Sequence, residues 1–510
     1  MNEFARASDL ARIVQAQQAA ERDIAQDARR EEPWTLLIEC WLARGLFHKA
    51  VESALAATAS IPASQALQGL LAYCRLMDHD YAQAQAVAER LWSGRPTDLS
   101  ALTHIGLVAT AVGQHDLSRA ALGRALELHP EDPQLQFNLA TALRNCGELV
   151  AAERLYDSVI RCQPKHWEAY KNRTDLRRQT PDRNHLSELA AAIGRAGSDW
   201  RGATMLHYAL GKEREDLGDP DAAFAAYDTG AKLLRRHMQY SIEADLELMR
   251  RIARVFDPEW LRRQPAGCQK PEPIFIVGLP RSGSTLLERM MGAHEAIHAA
   301  GELHNFGLSV ARLLQHPDRR PHVDMIGASA QLDPLQLGER YLASCRHRTG
   351  SRARFTDKLP GNFIHAGLIA AALPRAAIVH IHRDPRDAGF ALYKTLFKQA
   401  YPFSYDLREI GRYIRGYQQL MEHWHRLLPG RIIDVAYEEL VDDPERVLGE
   451  VFRRCHLAFD PRCLSFFQST EAVTTASAVQ VRQPIYRSSV ESWRHYARHL
   501  APLFDELGTQ

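Results

Sequence analysis

The clearest chemical signal in the sequence is a loop bounded by two glycines at residues 278–285, which read GLPRSGST. A run of β-branched and aromatic residues precedes it at 274–277, and residues in helical spacing follow it at 286–291. A strand, a glycine-bounded loop and a helix N-terminus in this order form a nest of backbone N–H groups that holds a phosphate. Gly283 permits close approach of the backbone. We therefore predict an anion-binding loop here, with a plain strand–turn–helix as the alternative.

This loop differs at one position from the G-x-x-x-x-G-K-[ST] loop of nucleotide triphosphatases. The glycine spacing agrees, but Ser284 stands where the lysine that reaches the β- and γ-phosphates is required. Arg281 instead offers a cation beside a single phosphate, and Ser284 and Thr285 add hydroxyl donors. The sequence thus argues against a triphosphate donor, and a P-loop kinase is kept only as an alternative.

Residues 280–285 resemble the phosphosulfate loop of the sulfotransferase superfamily. In that family a P-R-S-G-[ST]-[ST] segment binds 3′-phosphoadenosine 5′-phosphosulfate (PAPS), and this chain matches it fully. The chain is similar in particular to bacterial tetratricopeptide sulfotransferases, whose catalytic domain resembles tyrosylprotein sulfotransferases. The similarity spans about residues 273–500 and implies that the donor is bound by a contiguous set: Arg281, Ser282, Gly283, Ser284 and Thr285.

A second segment of this resemblance carries the candidate base. Residues 301–303 resemble the family's G-E segment, whose glutamate is the catalytic base, and this implies that role for Glu302. A carboxylate close to the attacking oxygen can take the proton of a phenol or an alcohol. His294, His298 and His304 lie nearby in the sequence and stay as alternative bases.

A third segment carries a candidate cation for the leaving group. Residues 355–360 resemble the segment in which the family places an essential lysine, here Lys358. A positive charge there stabilises the departing phosphate as the S–O bond breaks. A solvated surface lysine is the alternative interpretation.

Arg383 ends a second predicted strand, at residues 378–382. The family places at this strand end the arginine that grips the 3′-phosphate of the donor. A guanidinium suits phosphate because its planar fork makes two charge-assisted hydrogen bonds. An internal ion pair with Asp384 or Asp387 is the alternative.

The sequence departs from the family pattern near this arginine. Ala391 stands where the family has a phosphate-binding serine, and Ser492 stands before Trp493 where a basic residue is common. We therefore expect a thinner 3′-phosphate pocket, or one reached by other cations in the sequence: Lys394, Lys398, Arg482 or Arg494.

Two later segments complete the resemblance. Residues 437–444 resemble a Y-E-x-L segment, which implies that Tyr437 contacts the nucleotide. Residues 476–486 resemble a nucleotide-covering loop, which implies that Ser477 contacts the phosphosulfate bridge and that Gln480 and Arg482 cover the donor.

Together these motifs predict direct in-line transfer of a sulfuryl group from PAPS to an acceptor hydroxyl. Glu302 acts as the base, while Arg281, Lys358 and Ser477 stabilise charge. No metal is expected, because the sequence shows no H-x-E motif or clustered His/Cys ligand set. Tyrosine in a polypeptide is the first predicted acceptor. The alternatives are a glycan or a small molecule as the acceptor, or a non-catalytic repeat scaffold with a degenerate transferase domain.

The first half of the chain repeats itself at intervals of 34 residues. The members of three series share this interval: Pro62, Pro96, Pro130 and Pro164; Gly45, His79, Gly113 and Gly147; Ala50, Ala84, Ser118 and Ala152. Small residues allow two antiparallel helices to approach closely, and proline follows a helix that it cannot continue. The pattern resembles tetratricopeptide repeats over roughly residues 31–164. It predicts a stacked α solenoid whose concave face docks a polypeptide or, alternatively, only supports or dimerises the enzyme.

The totals agree with a soluble, multi-domain protein. The 510 residues carry a formal charge of +1, so the composition makes no case for nucleic acid or an anionic membrane. We find no basic, apolar leader, no apolar run of about 18 residues and no C-x-x-C pair among eight cysteines. These features favour a cytoplasmic protein with no membrane span.

We predict an α solenoid with an N-terminal capping helix at 1–257, a linker at 258–272, and at 273–510 an α/β P-loop-like domain with a mainly parallel sheet, the sulfotransferase fold.

Overall fold

The computed structural model describes residues 7–314, 324–468 and 484–508, and it divides into two compact units, Met1–Gln163 and Pro164–Gln510. None of the helices in these ranges combines the length and the apolar character needed to cross a bilayer.

The first unit consists of stacked helices. They are α1 (Ala7–Gln26), α2 (Glu31–Ala43), α3 (Phe47–Ser60), α4 (Gln65–Met77), α5 (Tyr81–Ser93), α6 (Leu99–Ala111), α7 (His115–Leu128), α8 (Pro133–Cys146) and α9 (Leu149–Cys162). Each helix packs on the next, and α2, α4, α6 and α8 also pack on one another in that order. This is the arrangement of a solenoid built from helix pairs.

The repeated residues have one structural role in each series. Gly45, His79, Gly113 and Gly147 all have a positive φ, between 59° and 88°, in the turn between two helices, which explains why glycine recurs there. The members of the alanine series, Ala50, Ala84, Ser118 and Ala152, are all 0 % exposed in the helix that follows. The buried small residues agree with the expectation that they lie where helices pack together, and the prediction of an α solenoid is confirmed.

The second unit contains a sheet with helices before, between and after its strands. The helices before the sheet are α10 (Trp167–Thr174), α11 (Leu186–Ala196), α12 (Trp200–Asp216), α13 (Pro220–Arg236), α14 (Ile242–Val255) and α15 (Pro258–Arg262). The strands are β1 (Pro273–Gly278), β2 (Ile297–Ala299), β3 (Arg354–Asp357), β4 (Ala377–His382) and β5 (Ile432–Ala436). The later helices are α16 (Ser284–Gly292), α17 (Asn305–Leu314), α18 (Met325–Ser329), α19 (Pro334–Cys345), α20 (Ala366–Ala372), α21 (Pro385–Tyr393), α22 (Leu407–Leu427), α23 (Tyr437–Asp442), α24 (Pro444–Arg454) and α25 (Ala501–Leu507). Short 3₁₀ segments occupy Pro360–His365, Pro402–Tyr405, Pro461–Gln468 and Ser492–His499.

The five strands are all parallel and have the order β2-β3-β1-β4-β5. Every residue of β1 and β3 is buried, as is typical of parallel strands that are covered on both faces. The chain leaves β1 toward β2 and β3 on one side and returns to β4 on the other, so the order reverses between β1 and β4. In open parallel sheets ligands bind beyond the strand ends at such a reversal. The predicted α/β domain with a parallel sheet is confirmed.

Helices α12 and α13 pack in the same unit as the sheet. The Tyr208 hydroxyl donates to the Tyr393 carbonyl at 3.1 Å, and Lys394 pairs with Glu215 at 2.6 Å. The molecule therefore divides at residue 163, before the predicted solenoid boundary at residue 257. The prediction of a solenoid domain over residues 1–257 stays a prediction.

Candidate active site

The C-terminal ends of all five strands carry a candidate site residue. In sheet order these are Glu302 after β2, Lys358 after β3, Arg281 after β1, Arg383 after β4 and Tyr437 after β5. Because parallel strands end at the same edge of a sheet, motifs that are far apart in the sequence meet there.

The loop after β1 has a backbone that suits its glycines. Gly278 and Gly283 have φ values of 153° and 99°. A Cβ on Gly278 would lie 2.3 Å from the Ile381 carbonyl oxygen, and one on Gly283 would lie 2.4 Å from the Tyr437 ring. The loop therefore lies flat against Tyr437, and any side chain at Gly283 would separate the two.

The hydroxyl of Ser282 shapes this loop from inside. Ser282 is 1 % exposed, and its Oγ donates to the Leu279 carbonyl at 2.7 Å. Ser284 and Thr285 begin α16, where backbone N–H groups point outward from the helix N-terminus. The local structure is the strand–loop–helix nest that the sequence predicts.

Two arginines meet beside the loop. Arg281 has a positive φ of 66°, and Arg383 donates from Nη1 to the Arg281 carbonyl at 3.4 Å. Burial, and then the neighbouring charge of Arg383, lower the pKa of Arg281. Like charges held this close repel each other, so the arrangement favours an anion that contacts both.

Arg383 is also held by the protein. Its side chain is 7 % exposed, its guanidinium lies 4.8 Å from the Tyr437 ring centroid, and it donates to the Ser489 carbonyl. Asp387 lies 3.6 Å from it, so the structure brings together the ion pair that the sequence analysis named as the alternative. Asp384 pairs instead with Arg386 at 2.7 Å.

Asp387 explains the departure at Ser492. Its carboxylate accepts hydrogen bonds from the Glu491 N–H at 2.7 Å, the Ser492 hydroxyl at 2.9 Å and the Trp493 N–H at 2.9 Å. Ser492 therefore anchors its own segment to α21.

Three of the four cations suggested as substitutes at this end lie within the described residues, and all three are ion-paired. Lys394 pairs with Glu215 at 2.6 Å, Lys398 with Glu168 at 2.9 Å, and Arg494 with Glu491 at 2.8 Å. Ala391 is 7 % exposed on α21. The remaining candidates, Ser477, Gln480 and Arg482, lie outside the described residues.

Glu302 and Lys358 form a direct ion pair. The Lys358 Nζ donates to the Glu302 Oε1 at 2.6 Å, and the Lys358 N–H donates to the Gly301 carbonyl at 3.0 Å. The lysine side chain is 1 % exposed, whereas that of Glu302 is 45 % exposed. Lys358 is therefore not the solvated surface lysine of the alternative interpretation, and the glutamate is open to a ligand.

Two buried carboxylates hold the backbone on either side of Glu302. Glu288 accepts from the Gly301 N–H at 2.9 Å, and Asp357 accepts from the Leu303 N–H. Burial raises the pKa of Glu288, and it raises the pKa of Asp357 to about 8. The sequence analysis missed both residues.

The three alternative bases occupy different positions. Nδ1 of His294 accepts from the Ala296 N–H at 3.0 Å and Nε2 donates to the Ala458 carbonyl at 3.0 Å, so this buried ring is structural. His298 lies in β2 against Gly350. His304 is exposed and stays an alternative base.

Two parts of the chain match models of known protein families. Residues 273–461 match the model of the sulfotransferase family, and residues 109–173 match a tetratricopeptide repeat model. A protein of Aquifex aeolicus (strain VF5), described as uncharacterized, is 31% identical over 397 residues, which are 76% of this chain and 52% of the relative. The chain thus spans about half the length of that relative.

Solved structures give more distant similarities. The sulfotransferase domain from the Synechococcus PCC 7002 olefin synthase has 20% identity and a TM-score of 0.35, over 46% of this chain and 90% of that one. Sulfotransferase STF9 from Mycobacterium avium has 16% identity and a TM-score of 0.29, over 64% and 95%. The family match supports the prediction of a sulfotransferase enzyme, whereas the specific resemblance to tyrosylprotein sulfotransferases stays a prediction. The chain combines tetratricopeptide repeats with a sulfotransferase-family domain.

Proposed function

We propose that this protein transfers a sulfuryl group from PAPS to an acceptor hydroxyl, with tyrosine of a protein or peptide as the first acceptor. The observation that carries the proposal is the meeting of an anion loop, two arginines and the Lys358–Glu302 ion pair at one edge of the sheet. A family match alone would not distinguish an enzyme from a degenerate domain, and the buried lysine held against an open carboxylate supports an enzyme.

The residues at this edge fit a donor with phosphate at both ends. The N–H groups at the start of α16, together with Arg281, suit the 5′-phosphosulfate, and Arg383 suits the 3′-phosphate. The ring of Tyr437 packs against both Gly283 of the anion loop and the guanidinium of Arg383, which suits a contact with the nucleotide. The family resemblance adds Ser477, Gln480 and Arg482 to this proposal.

In the proposed reaction Glu302 accepts the proton of the acceptor hydroxyl. The hydroxyl oxygen forms a bond to sulfur as the bond from sulfur to the 5′-phosphate oxygen breaks, and the electron pair leaves with the phosphate. Lys358 and Arg281 stabilise this negative charge. Because Lys358 touches Glu302, one ammonium group links the base to the leaving-group side of the site.

An aromatic side wall beside Glu302 favours a phenolic acceptor. Burial, and then the charge of Glu302, raise the pKa of Tyr401 to about 12, so the Tyr401 hydroxyl lies within the electrostatic influence of the candidate base. Phe397 packs edge-on against Tyr401 with ring centroids 4.9 Å apart, and both rings are only partly buried. Exposed aromatic edges suit another aromatic ring. The solenoid would present a polypeptide acceptor to the enzyme or serve only as support or a dimer interface.

Two measurements test the proposal on the purified full-length chain. Thermal stabilisation by the desulfated product, 3′-phosphoadenosine 5′-phosphate, is compared with that by ATP, and we expect the first to be larger. ³⁵S-labelled PAPS is then incubated with matched peptides that contain tyrosine or phenylalanine, and with glycans and small phenols. We expect label on the tyrosine peptide. Label on a glycan alone would change the acceptor class, and product binding without any transfer would favour the scaffold alternative.

A further inference from the structure

A cluster of imidazole and carboxylate groups lies between β4, β5 and α22. His380 of β4 is directly opposite Asp434 of β5 in the sheet, and His425 comes from the last turn of α22. Nδ1 of His380 lies 2.7 Å from Oδ1 of Asp434, and Nε2 of His425 lies 3.2 Å from the same oxygen. One ligand atom from each of the three residues lies within 4.8 Å of the others. The cluster therefore brings three potential ligands to one point from three rigid elements.

We infer that His380, His425 and Asp434 form a binding site for one zinc-like divalent transition-metal ion. Two imidazoles and one carboxylate suit Zn²⁺ and its neighbours, whereas Mg²⁺ and Ca²⁺ take oxygen ligands. Zinc bonds of about 2.0–2.1 Å put neighbouring ligand atoms about 3.3 Å apart. The His425–Asp434 separation already has this size, and the His380–Asp434 pair needs to open by only about half an ångström.

The surroundings of His380 are those of a metal ligand. Its ring is 6 % exposed, and its second nitrogen, Nε2, forms a hydrogen bond with the hydroxyl of Tyr417 in α22. A group that binds the second nitrogen of a histidine sets the tautomer and the ring orientation of that ligand. Tyr417 is itself buried, at 4 % exposure, so it holds Nδ1 of His380 toward Asp434.

The site is open on its other side. The side chains of Asp434 and His425 are 45 % and 38 % exposed, so an ion has a path from solvent and room for a water ligand. His382 lies two residues further along β4 on the same face, with its ring centroid 5.5 Å from that of His380. It is exposed and within reach as a fourth ligand.

The sequence analysis found no ligand set because these residues come from three separate segments. Only the parallel register of β4 and β5 places His380 opposite Asp434. Arg383 and Tyr437 directly follow these two strands, so a bound ion would hold together the strands that lead into one end of the candidate donor site. The role is structural, since the proposed transfer chemistry uses no metal.

Metal binding is measured directly on full-length protein freed of metal with a chelator. Titration with Co²⁺ is followed by visible absorption, and titration with Zn²⁺ by calorimetry. We expect one ion per chain with d–d bands typical of nitrogen and oxygen ligands. The spectrum should lack the thiolate-to-cobalt charge transfer that binding by the free cysteines would produce.

Variants then identify the ligands. His425→Ala and Asp434→Asn change partly exposed side chains, and each is expected to weaken binding about 100-fold or more. Tyr417→Phe should weaken it by about 10–100-fold, the usual effect of losing such a supporting hydrogen bond. His495→Ala, an exposed histidine elsewhere in the unit, is the matched control and should bind as the parent does. Absence of a bound ion, thiolate charge transfer, or unchanged affinity in both ligand variants would overturn the inference.

Discussion

The two ends of the candidate site are built differently. At the end with Glu302 and Lys358, reactive groups contact each other, and buried carboxylates fix the backbone on both sides of the glutamate. At the end with Arg383, the single strand-end arginine is bound to protein acceptors, Ser489 and Asp387, and the family's serine is Ala391. The chain therefore brings the groups of the proposed transfer reaction into contact by itself, whereas the proposed binding of the 3′-phosphate depends on an arginine that already has protein partners. Changes at the first end should therefore affect rate, and changes at the second should affect donor affinity.

The largest expected effect is that of Glu302→Gln on rate. Removal of a general base lowers the rate by about 10²–10⁴. The amide keeps the shape of the side chain, so the dissociation constant for 3′-phosphoadenosine 5′-phosphate should stay nearly unchanged. Transfer of ³⁵S and product binding are measured on the same preparation. The control is His304→Ala, and if that variant is crippled while Glu302→Gln is mildly affected, the base has been assigned to the wrong residue.

Arg281→Ala should be next in size, because Arg281 faces the charge that develops on the transferring group. Loss of one such stabilising donor costs about 10²–10³ in rate. Donor binding should weaken as well, since Arg281 belongs to the anion loop. Arg446→Ala removes an exposed arginine paired with Glu439 and is the matched control. Near-normal turnover in Arg281→Ala would contradict the assignment of the loop.

At the other end, Arg383→Ala and Ala391→Ser should change donor affinity in opposite directions. Hydrogen bonds to charged groups contribute about 1.5–3 kcal/mol each, so loss of the arginine should weaken product binding by about 100-fold. The added serine should tighten it by about tenfold at most, because its hydroxyl has other local acceptors on α21. The dissociation constants of 3′-phosphoadenosine 5′-phosphate and of its analogue without the 3′-phosphate are compared. Equal affinity of the parent for both would mean that this end does not recognise a 3′-phosphate.

The last expected effect is on stability and concerns Asp357, one of the carboxylates that hold the Glu302 backbone. Its pKa is about 8 in the folded chain and near its ordinary value when unfolded, so the folded state binds more protons between those pH values. The contribution of Asp357 to the free energy of unfolding should therefore be largest below about pH 4. It should fall as pH rises toward about 8, by up to about 1.4 kcal/mol per pH unit from this group.

Asp357→Asn removes this titration while keeping an oxygen that accepts the hydrogen bond from the Tyr341 hydroxyl. Urea unfolding of parent and variant across the same pH series isolates the contribution. Parallel curves for the two proteins would show that Asp357 is ionised in the folded state.

Much of the site was predictable because its motifs are local. The strand–loop–helix around Arg281 and the strand end at Arg383 follow from short segments that each have a recognisable pattern, whereas the strand before Lys358 was not predicted. The partnership of Glu302 with Lys358 was not predictable, because it depends on β2 and β3 being neighbours in the sheet.

Residues that act through buried contacts were missed for a physical reason. Glu288 and Asp357 resemble ordinary charged residues until the fold removes them from water, and only then does their pairing with backbone N–H groups become visible. Ser282 was predicted to bind PAPS because of its place in the motif, but its hydroxyl donates a hydrogen bond to the Leu279 carbonyl inside the loop. Sequence patterns identify which residue stands at a position, whereas the direction of its side chain depends on neighbours from distant segments.

The strand order has a consequence for how the protein acquires activity. In the described sheet the central strand β1 pairs with β3 and β4, neither of which directly follows it in the sequence. The two pairs that are consecutive in the sequence, β2 with β3 and β4 with β5, are joined by long connections. Chains with such non-local pairings fold slowly, because the entropy cost of closing long loops comes before the stabilising contacts between strands form. Each strand contributes one candidate residue, so no partial sheet contains the whole site. Recovery of transfer after dilution from denaturant should therefore lag behind recovery of helical signal, and it would report completion of the last strand pairing.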